Sequence, residues 1–354
     1  HNFMKKANLL LLFILNLILI SCGSNSDKKI SDFSLKLNQS KAKYQLGDTM
    51  EISILNPKNK KIDSINFYLH DKMLSNKNGE TSLKLILKDQ KLGNQQISAL
   101  VFSEGTTDTL QASIKIYNDA PPAIYTYKII NTYPHDRGAY TQGLEFYNDT
   151  LYESTGQYGS SSLRITNFET GKVLKKIDLD KRYFGEGLSI LNGRIYQLTW
   201  QKGVGFIYNI KTLEKIGNFN FKQSKEGWGL CNDGKKFFKS DGTEKIWTLD
   251  AQTLAEMDYI QPTTNHTIST QLNELEWVEG KIYANTYQKD GVAIINPENG
   301  AIEGIIDFHD LREKVTQHPK LDVLNGIAYN PNTKKLYVTG KNWDKLFEVE
   351  IMKK

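Results

Sequence analysis

The sequence predicts an all-β chain, a five-bladed β-propeller preceded by an immunoglobulin-like β-sandwich. Three observations predict it. Marker pairs Gly143-Leu144, Gly187-Leu188, Gly229-Leu230, Glu274-Leu275 and Gly326-Ile327 recur at spacings of 44, 42, 45 and 52, a period that belongs to four-stranded blades. Apolar residues alternate with polar ones from Asp32 to Tyr117, with turn residues about every 8 to 12 positions, as in a sandwich. Between the two patterns, Asn118-Asp119-Ala120-Pro121-Pro122 reads as a stiff extended linker. At 354 residues, two folded units are expected. A content of 39% hydrophobic and 24% charged residues with only 8 Pro excludes a largely disordered chain. The net charge of +5 rests on scattered lysines and gives no support to nucleic-acid binding.

Residues 1–21 read as a signal peptide. Lys5 and Lys6 lead into an apolar run from Leu9 to Ile20, too short for a permanent span of a bilayer roughly 30 Å thick. The run ends Leu19-Ile20-Ser21-Cys22-Gly23, which resembles the lipobox of bacterial lipoproteins. That resemblance implies acylation at Cys22, a polar tether over residues 22–30, and a lipid-anchored protein of the bacterial cell envelope. Cys231 would then have no intramolecular disulfide partner.

The sandwich is expected over residues 31–118. Its strands are read at Phe33 to Leu37, Met50 to Leu55, Ile65 to Leu69, Thr81 to Leu87, Gln96 to Phe102 and Leu110 to Ile116. A spacer or docking role suits a unit whose titratable residues show no ligand spacing. The propeller is expected over residues 119–354. After each marker comes a turn and a second strand, as at Asn192-Gly193 before Ile195 to Leu198, and then a third strand such as Phe206-Ile207-Tyr208. The fifth repeat stops after three strands at Ile351, so Ala123 to Asn131 is expected to supply its outer strand and close the ring.

The repeat also locates a site. The residue before each marker is Gln142, Glu186, Trp228, Asn273 and Asn325. A carboxylate, three amides and an indole around one end of the channel predict a polar pocket with an aromatic wall. Second strands return to the same end, bringing Trp200, Asp241, Asn285, Tyr287 and Lys341 to its edge. Blade packing is the competing role for Trp200 and Trp228, a hydrogen-bonding corner for Glu153, and a turn for Asp241. His135, His266, His309 and His318 have no spaced partners, so no metal is expected.

The segments Tyr140-Thr141-Gln142-Gly143-Leu144, Phe184-Gly185-Glu186-Gly187-Leu188, Leu198-Thr199-Trp200, Glu226-Gly227-Trp228-Gly229-Leu230, Leu272-Asn273-Glu274-Leu275-Glu276, Leu324-Asn325-Gly326-Ile327-Ala328 and Thr339-Gly340-Lys341 are similar to motifs of the plant and bacterial glutaminyl cyclases, in family order through residues 124–351. The resemblance implies cyclisation of N-terminal glutamine to pyroglutamate with release of ammonia, without metal or cofactor. It implies Glu186 as the catalytic proton relay and Gln142, Phe184, Trp200, Trp228, Asn273 and Lys341 as the substrate pocket, to which their places in the repeat add Asn325 and Tyr287. Its partner would be a peptide or protein beginning in Gln, met by a monomer held at the membrane by its lipid. Where the family motif commonly ends in tryptophan after Ala-Asn, this chain has Ala284-Asn285-Thr286-Tyr287. A non-catalytic envelope binding protein is the competing function, and a calcium- or quinone-dependent dehydrogenase is weakened by the lack of an acidic ligand cluster.

Overall fold

The computed structural model describes residues 31–40 and 42–354. The expected signal peptide, Cys22 and the tether lie outside the described residues. Residues 34–117 form two sheets. One orders Ser34–Leu37, Thr49–Leu55 and Ser82–Ile86; the other orders Lys43–Gln45, Thr106–Tyr117, Gly93–Ser103, Ser64–Leu69 and Lys72–Lys77. Alternation decides which face is inward: Met50, Ile52 and Ile54 from the first sheet meet Ile65, Phe67, Ile97, Ala99 and Val101 from the second in one apolar core. Two strands escaped the sequence reading. Lys43–Gln45 has three residues, and Lys72–Lys77 is polar enough to show no inward face.

The rest of the chain is propeller-like. Three four-stranded antiparallel sheets each follow chain order: Thr141–Tyr147 to Lys172–Asp178, Gly185–Leu191 to Lys215–Asn220, and Leu230–Asn232 to Glu256–Ile260. An eight-stranded sheet joins the fourth meander, Leu272–Val278 to Ile302–Asp307, to the fifth, Leu324–Asn330 to Lys345–Lys353. The strand Ala123–Pro134 joins them. It pairs antiparallel with Lys345–Lys353, from Lys345 opposite Pro134 to Lys353 opposite Tyr125, and its first residues also pair parallel with Gly304 to Ile306. The outer-strand pairing expected from sequence is therefore present and reaches three residues beyond Asn131. Tight turns at Asn148-Asp149, Asn192-Gly193 and Glu279-Gly280 hold both residues at positive φ, matching the twist of the strands they join.

Inner strands neighbour one another in cyclic order, the fifth touching the first. Gly187 and Gly229 allow this approach, since a Cβ would stand 2.6 Å from Leu230 N at the former and 1.9 Å from Asn273 O at the latter. Glu274 replaces the glycine in the fourth meander. Its carboxyl group accepts Leu144 N–H at 3.4 Å and Ile327 N–H at 3.0 Å, reaching two neighbouring inner strands. Glu145 accepts from Ile190 N at 3.0 Å and Glu276 from Tyr329 N at 2.7 Å in the same manner. Side chains thus satisfy amides that no ladder reaches.

The two parts meet at the outer strand of the third meander, the loop that follows it and a turn of the fourth meander. Lys91 Nζ donates to Tyr259 O at 3.0 Å and to Asp258, Leu92 N to Asn299 O at 2.9 Å, and Asn118 N to Thr264 O at 3.0 Å. Gly93, at φ +91°, lies so close to Gln261 that a Cβ would stand 2.0 Å from its Oε1.

Candidate active site

Four inner strands shift register at the marker: between Thr141 and Gly143, Gly185 and Leu188, Leu272 and Leu275, and Leu324 and Ile327. Such irregularities re-aim side chains. Here they coincide with Gln142, Glu186, Asn273 and Asn325, all four buried. Trp228 precedes the third inner strand, and its carbonyl accepts Gly187 N–H at 2.7 Å, which sets it beside Glu186.

Three of the five ring residues form one hydrogen-bonded chain. Asn325 Nδ2 donates to Gln142 Oε1 at 3.1 Å, and Gln142 Nε2 donates to Glu186 Oε1 at 3.0 Å. With its carbonyl oxygen accepting from Asn325, the Gln142 amide has a fixed orientation. Glu186 Oε2 and Asn273 Oδ1 are buried and have no hydrogen-bond partner among the described residues. Burial pushes the Glu186 carboxyl well above the ordinary glutamate range; Lys341 opposes that shift and Glu226 reinforces it. Lys341 is itself buried, and burial lowers its pKa against the pull of Glu186 and Asp322. Its ammonium lies 4.8 Å from the Tyr140 ring centroid and 5.3 Å from that of Tyr287, a cation caged by aromatic faces.

The aromatic wall stands at the expected places. Phe184 packs edge-to-face on Trp200 at 5.5 Å, and Trp228 on Tyr287 at 5.9 Å. Trp200, Trp228 and Tyr287 are half-buried, in contrast to the buried polar ring. Asn285 faces a different task, reaching from the second strand of the fourth meander to accept Gly326 N–H of the fifth inner strand at 3.0 Å. Asp241 anchors its turn by accepting Thr243 N–H at 3.0 Å and also receives Trp247 Nε1 at 2.8 Å.

Two residues have roles that the sequence did not reveal. Glu226 Oε2 accepts both Trp200 Nε1 and Trp228 Nε1, each at 2.8 Å, so one carboxylate fixes both indoles. Its backbone is held in turn by Lys239, whose ammonium donates to Glu226 O at 2.8 Å; burial lowers the Lys239 pKa to about 8. The glutamate was visible in Glu-Gly-Trp-Gly, but its partner indole at Trp200 is 26 positions away. His135 is the second. It is buried, with Nδ1 2.8 Å from Trp343 O and Nε2 2.9 Å from Glu153 Oε1, which also accepts Thr141 Oγ1 at 2.8 Å. Two acceptors require two ring protons, hence an imidazolium facing a carboxylate. Burial disfavours both charges, yet their attraction lifts the His135 pKa and holds that of Glu153 low. Glu153 is therefore a structural corner, as its sequence context suggested. Among the described residues no three His, Cys, Asp or Glu side chains are grouped to hold a metal ion.

Known proteins resemble this chain in sequence and fold. A family model described as glutamine cyclotransferase matches residues 97–351. The glutaminyl-peptide cyclotransferase of Arabidopsis thaliana is 40% identical over 227 residues, which is 63% of this chain and 71% of that protein. The crystal structure of Myxococcus xanthus glutaminyl cyclase superposes with a TM-score of 0.61 at 33% identity, over 66% of this chain and 99% of that one. With a match across most of its length, and with the motif residues gathered at one end of the inner strands, the chain belongs to the glutamine cyclotransferase family.

Proposed function

We propose that this protein converts N-terminal glutamine to pyroglutamate at the Glu186 site. One observation carries the reading: Glu186 is buried, one carboxyl oxygen is held by Gln142, and the other is unpaired. In the reaction the substrate's α-nitrogen attacks its own γ-carbonyl carbon, forming one C–N bond, and the γ-nitrogen departs as ammonia as the other breaks. Glu186 Oε2 accepts the proton that the α-nitrogen must lose and returns it to the leaving nitrogen, so no net proton is consumed. A raised carboxyl pKa brings the relay nearer to neutral operation than an ordinary glutamate would be. Asn273 orients the carboxamide, while Trp200, Trp228 and Phe184 shape the slot that folds the glutamine chain onto itself. Lys341 balances charge near Glu186, and Glu226 is a positioning residue that acts through both indoles.

The same reading extends to architecture. The five meanders are blades of a propeller over residues 119–354, and the two sheets before it are an immunoglobulin-like sandwich over residues 31–118. The lipobox motif supports attachment of the chain to an envelope membrane through Cys22; Cys22→Ala protein that still sediments with membranes would remove that part.

Glu186→Gln tests the chemistry. The substitution preserves size but not proton transfer, so kcat should fall by about 10² to 10⁴ while circular dichroism is unchanged. Near wild-type turnover in a folded variant would move the relay elsewhere. An inactive wild-type protein would favour ligand binding without catalysis.

A further inference from the structure

Two recesses on the side of the third meander share Gln223 and Trp247 in their linings. One, of ≈ 510 Å³, is lined by Glu226 and Trp228, which also belong to the candidate site, and by Gly242, Lys245, Gln223 and Trp247. The other, of ≈ 440 Å³, lies between the two units and is lined by Gln223, Trp247, Met257 and Tyr259 on one side and by His70, Lys72 and Lys91 on the other. We propose that these adjoining recesses form one cleft that carries the polypeptide downstream of the N-terminal glutamine, making the first unit part of the substrate-binding surface. The inference rests on the cyclotransferase reading and names its substrate as a polypeptide several residues long.

Direction supports it first. A substrate whose terminal residue lies in the pocket continues only through that residue's carbonyl, and the recess beside Trp228 adjoins, at Gln223 and Trp247, the one that borders the first unit. The lining supports it next. Met257 is 56% exposed there, and Lys245 covers the Trp247 and Tyr259 rings at 4.9 and 4.4 Å. Apolar faces beside charges of both signs, Lys72 and Lys91 with Asp71 and Asp258, suit a polypeptide of variable sequence better than one small ligand. Both walls are also sheet edges. Glu256–Ile260 ends the third meander and Lys72–Lys77 ends the five-stranded sheet, and an edge strand recognises extended peptide through its backbone. His70, Lys72 and Lys91 precede the residues matched by the family model, 97–351, so this wall is an addition to the family's common part.

The test uses the full chain and two substrates, the dipeptide Gln-Ala and a twelve-residue peptide beginning in Gln. Wild-type kcat/KM should be at least about tenfold higher for the longer peptide, the equivalent of one or two side chains held. Met257→Asp and Lys245→Ala should each reduce that advantage while leaving Gln-Ala turnover unchanged. A photo-crosslinker at the sixth residue of the longer peptide should label residues 69–92. Equal kcat/KM for the two peptides, variants that slow both alike, or labelling elsewhere would overturn the cleft. Failure to cyclise either peptide would strike the proposed function instead, and crosslinking would still report where the chain lies.

Discussion

Replacing Glu226 with Gln isolates one charge. The carboxylate accepts two indole N–H groups at 2.8 Å, and an amide oxygen can accept the same two without the charge. A hydrogen bond to a charged partner contributes about 1.5–3 kcal/mol against about 1 kcal/mol for a neutral one, so each indole loses about 1 kcal/mol of restraint. Two such losses, if both indoles are needed in place at the transition state, lower kcat/KM about 30-fold. The substitution has a second signature. Glu226 helps to raise the Glu186 pKa, so removing its charge lowers that value and moves the acid limb of kcat/KM to lower pH. The assay is ammonia release from a Gln peptide between pH 5 and 9. Lys239 still holds the backbone of residue 226, so misfolding is not the expected outcome. An acid limb that stays in place with kcat/KM within about twofold of wild type would refute the positioning role.

Lys341→Met should shift the same limb the opposite way, because Lys341 lowers the Glu186 pKa; pH profiles of the two variants on either side of wild type would check the pair. Glu274→Ala strands two amide donors at about 1–3 kcal/mol each, whereas Glu274→Gln keeps an acceptor for one of them only; thermal unfolding should show a loss of several degrees for Ala and a smaller loss for Gln. Burial raises the pKa of Glu145 to about 8 and those of Glu274 and Glu276 well above the ordinary value. Groups raised on folding stabilise fully below their unfolded pKa and lose that contribution as pH climbs through the folded one. Melting temperature should therefore fall from pH 5 to 8, by at most about 1.4 kcal/mol of stability per pH unit per group, and less at half-buried Glu145. Glu145→Gln should flatten that slope.

The period of the markers was legible because each inner strand faces the same neighbours and must solve the same packing problem. It placed Gln142, Glu186, Asn273 and Asn325 at equivalent positions, and these fall at four register irregularities that alternation alone does not reveal. Contacts between repeats were less readable. Glu226 with Trp200, and His135 with Trp343 at 208 positions' separation, depend on how one sheet sits beside the next. The seat of Gly93 on Gln261 belongs to the same class, since no local pattern marks a glycine that a distant loop will touch. The strand Lys72–Lys77 was missed for a different reason: an exposed edge has no obligation to alternate.

Pairing of Ala123–Pro134 with Lys345–Lys353 imposes an order of events during synthesis. Asn131, whose side chain bonds Glu348 across that seam, waits 217 residues for its partner. At ribosomal rates of about 5–20 residues per second, the delay is about 10 to 40 seconds. Through that interval Ala123–Pro134 is an emerged strand without its antiparallel neighbour, the kind of edge that captures other chains. The earlier unit, whose core lies almost wholly within residues 33–116, can finish folding in the meantime. Newborn chains stalled before Lys345 should therefore bind chaperones or aggregate through that strand, and release of the last nine-residue strand is the step that ends the exposure.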